Sequence, residues 1–426
     1  MKFTFVSALF LLTAGAAFAA VIGTNVPATP LTAERVADLP TWKTYFENSQ
    51  SQRTADQKFL RAELSAHNLK QSTEPKKVHN AGGVSLKNPA AWYAGAEARR
   101  IAANIITFQT PAGGWSKNTD YAKNPRAPGE AFGAENGSLF LGKNDFDQPK
   151  DASWSYVGTF DNDATTTELR FLAKVISASK QNCDDLKKSF AHGLDYIFAA
   201  QFPNGGWPQV WPLQGGYHDA VTFNDDAMLH VVEFLREVAL GQNEFAFVPA
   251  ELRAPADASW KRGLDCILAA QVVVNGQHTV WGQQHDALTL APASARNYEM
   301  PSLASSESAT IVLFLMQLPN PDARTVAAVH SATAWFQKTE IKGKAFQVVG
   351  KESRKLIDAP EHAAMWSRYY EIGTDKPLFG DRDQSIHDDV NEISRERRKG
   401  YGWFKDTPKR VLEHYPKWAK AHPAQP

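Results

Sequence analysis

The sequence is poor in cysteine and carries no net charge. It holds 2 cysteines among 426 residues, which excludes a disulfide-stapled scaffold. Cys183 and Cys266 could form one disulfide or stand apart as small buried side chains, and the sequence leaves both open. Lys and Arg number 46, and Asp and Glu also number 46, so the formal net charge is zero. This balance excludes a globally basic nucleic-acid-binding protein, and a polyanionic ligand would need positive charge concentrated at one site.

Long apolar runs are also lacking, and the one at the N-terminus is short. Lys2 precedes an apolar stretch that ends in Ala17-Phe18-Ala19, a small-x-small cleavage site. The stretch falls short of the ~20 residues that a membrane-spanning helix needs. We therefore expect a signal peptide over residues 1–19, cleaved near Ala19. The expected mature protein is secreted and soluble, with no membrane association and no nucleic-acid partner.

Internal repeats predict the architecture of the chain. The segment GLDYIFAAQ at residues 193–201 recurs as GLDCILAAQ at residues 263–271, and a looser copy ends at Gln109. A second unit, FDNDA at residues 160–164 and FNDDA at residues 223–227, opens another kind of helix with apolar residues three or four apart. Ser305-Ser306-Glu307 resembles a third such opening. Two alternating helix types predict an all-α dominated fold, an (α/α)3-type toroid of helical hairpins with long loops and a few short strands.

Each opening of the second unit contains consecutive Asp and Asn residues. Asp163 and Asp226 are placed to act as helix N-caps, which need only one such residue each. The remaining carboxylate and amide oxygens suit a hard cation such as calcium, although the sequence has no EF-hand loop. Helix capping and metal binding both remain open at this point.

Aromatic residues lie in the glycine-rich loops that follow the first helix type. They could stack on sugar faces or pack the helices together, and the sequence favours neither. The residues concerned are Trp115, Trp207, Trp211, Tyr217 and Trp281. His285 is either a base or a structural residue, and Arg296, in a loop without periodicity, is either a surface ion-pair partner or an anion-binding residue.

Motifs of several other enzyme classes are absent from the sequence. It has no serine nucleophile elbow, no HExxH zinc motif and no complete GxxxxGK[ST] phosphate loop. Paired carboxylates such as Asp161 and Asp225 would also suit a glycoside hydrolase of α/α type. A protein that binds uronates without catalysis is a third hypothesis.

Six motifs in order resemble the polysaccharide lyase family ten pectate lyases, over roughly residues 88 to 410. They are GGWSKN (113–118), TFDNDATTTELRFLAKV (159–175), FPNGGWPQVWPL (202–213), TFNDDAM (222–228), ARNYEMPSL (295–303) and RYYEIGTDKPLFGDRD (368–383). On this resemblance residues 86–426 form the catalytic domain. Residues 20–85 form a polar, helical N-terminal extension with no assigned role.

The resemblance implies an α/α toroid and calcium-dependent β-elimination of polygalacturonate or low-methyl pectin. Abstraction of the C5 proton and loss of the O4-linked chain would leave 4,5-unsaturated oligogalacturonides. Bound Ca²⁺ would join the substrate carboxylate to protein acids and stabilise the enolate-like state. We expect the enzyme to act as a monomer.

The resemblance also implies roles for individual residues. Arg296 in ARNYEMPSL matches the Brønsted base, and burial and nearby cations would have to lower its pKa. Asp161 matches the calcium ligand, and we place a second ligand at Asp225. The expected substrate-binding residues are Lys117, Asn162, Tyr298 and Arg382.

Overall fold

The computed structural model describes residues 20–78, 84–134, 144–147, 157–350 and 353–424, so the predicted signal peptide lies outside the described residues. The helices are α1 (Ala33–Val36), α2 (Pro40–Ala66), α3 (Ala90–Tyr93), α4 (Ala96–Thr107), α5 (Thr166–Ala178), α6 (Asp184–Ala200), α7 (Ala227–Leu240), α8 (Ala250–Ala269), α9 (Ser305–Met316), α10 (Ala323–Lys338), α11 (Arg395–Gly400) and α12 (Thr407–Ala421).

The strands are short and lie mostly between the helices. They are β1 (Gly23–Thr24), β2 (Val221–Thr222), β3 (Val273–Val274), β4 (Gln277–His278), β5 (Gln284–His285), β6 (Pro292–Ala293), β7 (Leu303–Ala304), β8 (Lys344–Val348), β9 (Arg354–Asp358), β10 (Trp366–Ser367), β11 (Tyr369–Tyr370), β12 (Pro377–Gly380), β13 (Ser385–His387) and β14 (Phe404–Lys405). A helix-dominated fold with few short strands is therefore confirmed.

The helices form two rows, as the alternating repeats predict. In one row α4 contacts α6, α6 contacts α8 and α8 contacts α10. In the other row α5 contacts α7, and α9 contacts α12. Each row presents apolar residues spaced three or four apart to the other row, for example Leu169, Leu172 and Ile176 of α5, which are buried. The resulting core lies between the rows.

Buried tryptophans tie the loops to the first row of helices. The indole N–H of each donates to a backbone carbonyl near the end of the preceding helix, at 2.6–2.9 Å. The donor and acceptor pairs are Trp115 with Ile105, Trp207 with Ile197, Trp281 with Ile267 and Trp366 with Phe336. These rings are almost fully buried and cannot stack on a sugar, so the packing interpretation is confirmed for Trp115, Trp207 and Trp281.

The cysteines and His285 are buried structural residues. Cys183 and Cys266 are both free, so the chain forms no disulfide between them. The ring of His285 accepts from the N–H of Gly282 at 2.9 Å and lies 2.7 Å from the carbonyl of Leu290. Burial lowers the pKa of His285 to about 4, and backbone groups occupy both ring nitrogens, so neither nitrogen is available to a substrate and the structural interpretation is favoured.

A five-stranded sheet gathers distant parts of the chain beside the helices. Its strand order is β1-β13-β12-β11-β7. The strands β12 and β13 flank Arg382, β7 directly follows the loop that carries Arg296, and β1 belongs to the N-terminal extension. Leu31 and Tyr45 of the extension are part of the main hydrophobic core, so the extension packs on the helical domain. Among the described residues, no helix is long and apolar enough to cross a membrane.

A buried carboxyl in α2 predicts a pH-dependent stability. Burial raises the pKa of Asp56 to about 6 from 3.8, and its Oδ2 has no hydrogen-bond partner among the described residues. Because the folded state holds this proton more tightly than the unfolded state, the stabilisation is complete below about pH 4 and lost as the pH rises through about 6. Between pH 4 and pH 7 the wild type should therefore lose about 2 kcal/mol of stability through this group, and Asp56→Asn should not show that loss.

The measurement is denaturant unfolding of the wild type and Asp56→Asn at both ends of that pH range. The stability of the variant relative to the wild type should increase with pH. A difference between the two proteins that is the same at both pH values would contradict a raised pKa at Asp56.

Candidate active site

Two equivalent turns bring acidic residues to one place. The residues Asp161–Asp163 and Asn224–Asp226 each form a single 3₁₀ turn, and the two turns pack against each other. Asn162 has φ 51 and ψ 42, and Asp225 has φ 49 and ψ 32, so the corresponding residues of both turns are left-handed. Asn and Asp adopt this conformation more readily than other residues except glycine, and it occurs often at functional sites.

Neither Asp163 nor Asp226 makes a capping hydrogen bond, although Asp226 does occupy an N-cap position. The N-cap of α5 is Thr165, and the carboxylate of Asp163 instead lies 2.7 Å from Nδ1 of His230. Asp226 occupies the N-cap position of α7, but its side chain makes no cap hydrogen bond and accepts one from Thr310. The left-handed backbone turns these carboxylates away from the free N–H groups of the helices.

A small polar cavity of about 140 Å³ lies over the two turns. Its lining residues are Lys117, Asp161, Asn162, Gln209, Tyr217, Asn224, Asp225, Gln284, Arg296 and Glu299. Most of the predicted site residues therefore come together from distant segments of the chain. They are Lys117, Asp161, Asn162, Asp225 and Arg296, whereas Tyr298 and Arg382 do not line this cavity.

Asp161 is a buried, ionised carboxylate at the floor of the cavity. The ammonium group of Lys117 donates a hydrogen bond to its Oδ2. Burial alone would raise the pKa of Asp161, but the charge and hydrogen bond of Lys117 outweigh it and lower this pKa. Lys117 thus already pairs with a protein acid, whereas the resemblance implied that it binds the substrate.

Asp225 faces the same cavity and is harder to ionise. Burial and the negative charge of Asp161 raise its pKa, against the opposing charge of Arg368, whose Nη2 lies 3.7 Å from Oδ1 of Asp225. Two carboxylates that repel each other across a cavity would both be stabilised by a cation between them. The electrostatics of the cavity therefore favour a bound positive ion.

The oxygen donors of the cavity are of the type that calcium prefers, although they are few. In the described ranges there is no group of three or more His, Cys, Asp or Glu side chains that could hold a metal. The cavity instead offers the carboxylates of Asp161 and Asp225 and the amide of Asn162. Calcium accepts six to eight oxygen ligands, including amides and water, so these residues would supply part of its shell.

Arg296 is held at the cavity by Glu299. Its Nε donates to Oε2 of Glu299 at 2.8 Å, and its Nη2 donates to Oε1 at 2.5 Å. The hydroxyl of Tyr401 also donates to Oε1, at 2.6 Å. Burial would raise the pKa of Glu299, but Arg296 outweighs it and holds this pKa at about 2. The sequence motifs assign no role to Glu299. An acid three residues after Arg296 could nevertheless have indicated an ion pair between the two side chains.

The protein groups around Arg296 do not by themselves supply the lowered pKa that a base role requires. Burial does push this pKa down, but the negative charge of Glu299 raises it well above its ordinary value. Neutral Arg296 is therefore a minor species at neutral pH.

A second buried ion pair borders the acidic turns. Nη2 of Arg368 lies 2.7 Å from Oε1 of Glu307 and donates to Oδ1 of Asn224 at 3.2 Å. The amide of Gln283 donates to Glu307 at 2.8 Å and accepts from the hydroxyl of Tyr369. That hydroxyl lies 2.5 Å from the hydroxyl of Tyr401, which donates to Glu299, so the two ion pairs are connected. Sequence patterns do not reveal this network, because its members lie far apart in the chain.

Tyr298 and Arg382 lie beside the cavity. Tyr298 is buried, and three guanidinium carbons lie 4.3–5.4 Å from its ring centre. They belong to Arg296, Arg382 and Arg397. Nε of Arg382 donates to Glu396 at 2.9 Å. Tyr298 thus packs between cationic groups, and a buried ring does not form the wall of an open groove.

Known proteins share this sequence pattern and fold. A sequence profile of the pectic acid lyase family matches residues 109–412. Two solved structures of a family 10 polysaccharide lyase from Cellvibrio cellulosa each give a TM-score of 0.63, covering 79% of this chain and 98% of theirs. One, an aspartate-to-alanine variant in complex with trigalacturonic acid, is 30% identical, and the other is 31% identical. No curated protein sequence matches.

The profile covers well over half of the chain, and the chain therefore belongs to the pectic acid lyase family. It is an enzyme of the polysaccharide lyase class. Within that class it is a pectate lyase, and the resemblance found in the six sequence motifs is confirmed.

Proposed function

We propose that this pectate lyase is a secreted, calcium-dependent enzyme that cleaves polygalacturonate by β-elimination. The observation that carries the proposal is the convergence of Asp161, Asp225 and Arg296 on one cavity. The complex of a solved relative with trigalacturonic acid supports a uronate substrate. The signal-peptide pattern of residues 1–19 supports export.

Asp161 and Asp225, with Asn162, would hold the calcium ion. When bound, calcium would neutralise the uronate carboxylate and make the C5 proton next to it more acidic. Lys117 keeps Asp161 ionised at low pH, and Arg368 opposes protonation of Asp225. A methyl ester would offer neither the charge nor the metal ligation, so low-methyl pectin is the expected substrate.

Arg296 would remove the C5 proton. Its Nε and Nη2 both donate to Glu299, which leaves Nη1 as the nitrogen turned away from that carboxylate. The electron pair of the broken C5–H bond forms the C4=C5 double bond as the C4–O4 bond breaks. The departing O4 then takes up the proton that Arg296 removed, directly or through water, which gives a hydroxyl and returns the guanidine to its starting state. Glu299 fixes the orientation of the guanidinium but makes its neutral form rare, so the rate should rise with pH.

We infer further that the two rows of helices belong to an (α/α)3-type toroid with the cavity on its loop face. The support is the alternation of α4, α6, α8 and α10 with α5, α7 and α9, each pair joined by loops. The toroid would place the turns that precede α5, α7 and α9 at one end. Residues 86–426 would form this catalytic domain, and a monomer would suffice because every proposed site residue lies in one chain.

The chemical identity of the product tests this function. Incubation with polygalacturonate and calcium should give oligogalacturonides that absorb ultraviolet light through a C=C bond conjugated to the carboxylate. Mass spectrometry should show them lighter by one water than hydrolysis products. Saturated products with new reducing ends would instead identify a hydrolase that uses Asp161 and Asp225 as its paired carboxylates.

A further inference from the structure

We propose that residues 20–36, here called the N-terminal strap, fix the backbone of the loop that carries Arg296, and that Asn25 is the positioning residue within it. The strap precedes the residues that the family profile matches. The importance of Arg296 for the reaction rests on the proposed function, whereas the fixing of the loop rests on the contacts alone.

Asn25 binds the backbone of the loop at Arg296 and at the residue that follows it. Its Nδ2 donates to the carbonyl oxygens of Arg296 at 3.2 Å and Asn297 at 3.0 Å. The side chain is 3% exposed, so water cannot easily replace these bonds. The hydroxyl of Ser294 also donates to the carbonyl of Val26. One short segment of the strap therefore holds the loop both before and after Arg296.

The strap also joins the loop to the strand region around Arg382. The N–H of Asn25 donates to the carbonyl of Gln384 at 2.7 Å, and β1 pairs with β13. Nδ2 of Asn297 donates to the carbonyl of Arg382 at 2.8 Å. Asn25 and Asn297 thus connect the loop of Arg296 with the segment that carries Arg382, a residue that the family resemblance predicts to bind the substrate.

The far end of the strap is anchored independently. Nη2 of Arg35 lies 3.0 and 2.8 Å from the two carboxylate oxygens of Asp286, which precedes Arg296 in the same connection between β5 and β7. Leu31 and Val36 are buried in the main core. The anchor leaves Asn25 little freedom to move, so its amide is a fixed donor rather than one that follows the loop.

The backbone hydrogen bonds within the loop form a tight turn, and the strap adds bonds from outside it. Within it the N–H of Ala295 donates to Glu299 and the N–H of Glu299 donates to Arg296. The rate of a catalysed reaction depends strongly on holding the catalytic group within a fraction of an ångström of its productive position. A displacement of about 1 Å can lower the rate about 100-fold. The strap supplies such preorganisation without touching the cavity.

Asn25→Asp tests the proposal, because it keeps the shape and places an acceptor against the two carbonyl oxygens. We expect backbone amides of residues 294–299 to exchange hydrogen about 10-fold faster. We also expect kcat to fall about 10- to 100-fold, with KM for polygalacturonate nearly unchanged. Asn391→Asp is the matched control, since it removes an Nδ2 bond to the carbonyl of Leu356 at 3.1 Å on β9. It should change neither kcat nor loop exchange.

Unchanged exchange of residues 294–299 in Asn25→Asp would overturn the proposal, whatever the activity. If Asn25→Asp does not fold, Ser294→Ala takes its place, because it removes only the bond to Val26, and the same faster exchange is expected. The proposed function fails separately, when the wild type forms no unsaturated product. Faster exchange with normal kcat would overturn the positioning role of Asn25.

Discussion

Replacing Arg296 by alanine should lower kcat for polygalacturonate by roughly 10³- to 10⁴-fold, with a much smaller change in KM. Removal of a general base has an effect of this order. Arg296 is the basic residue of the cavity that is anchored through two nitrogens, and Glu299 has its pKa held at about 2 by this pairing. The truncation also leaves Glu299 without its cation, so the melting temperature must be measured in parallel.

The pH dependence of kcat also tests the role of Arg296 as the base. Glu299 raises the pKa of Arg296 well above its ordinary value, so the fraction of neutral Arg296 increases steadily with pH. Wild-type kcat should therefore rise into the alkaline range without a plateau. Arg324→Ala is the control, since this arginine is exposed and paired with Asp265 on the surface. An Arg296→Ala enzyme that keeps its kcat would place the base elsewhere.

Asp161→Asn should abolish tight calcium binding and lower kcat by at least about 100-fold at moderate calcium concentration. The amide keeps the size of the carboxylate but removes the charge that repels Asp225 and attracts the cation. It also leaves the ammonium group of Lys117 without its acid, which adds positive charge to the floor of the cavity. Isothermal titration with calcium and steady-state kinetics over a calcium series measure both effects.

Asp163→Asn provides a matched control only two residues away. The carboxylate of Asp163 belongs to the same turn but pairs with His230, and asparagine tolerates the same left-handed backbone. Calcium affinity should therefore stay within a few-fold of the wild type. Equal losses in Asp161→Asn and Asp163→Asn would show that the turn matters as a whole and that Asp161 is no specific ligand.

Local patterns predict the helices well because the spacing of the apolar residues is visible within one short segment. The repeat around residues 193–201 and 263–271 correctly predicts α6 and α8, and Ser305 correctly predicts the start of α9. The repeat pattern does not reveal that α10 and Trp366 form a further unit of the same kind. The hairpin β8–β9 lies between this helix and the tryptophan that bonds to it. In the earlier units the indole donor follows its acceptor by 10 to 14 residues, and in this one by 30.

The site can be predicted only in part. Asp161, Asp225 and Arg296 are found through their motifs, and the structure brings them to one cavity. The contacts of Glu299, Arg368 and the strap are not predictable in this way, because they join segments far apart in the chain or depend on the folded backbone. Capping by Asp163 is predicted wrongly because side-chain preference says nothing of a left-handed turn, which only the packed backbone reveals.

The zero net charge of the whole chain is matched by the pairing of charges at the site. Lys117, Arg296 and Arg368 lie around one cavity, and each is paired with a buried acid, respectively with Asp161, Glu299 and Glu307. The cationic groups of the site are thus balanced locally as well as in the whole chain, and the proposed calcium ion would supply the further positive charge that a polyanionic substrate requires.

The most direct test of calcium-dependent elimination is the rate of unsaturated product formation by enzyme stripped with a chelator, measured before and after calcium is restored. We predict no detectable ultraviolet-absorbing product from polygalacturonate in the stripped enzyme and full recovery on adding calcium. An undiminished rate in the presence of excess chelator, or cleavage that gives only saturated products, would contradict the account.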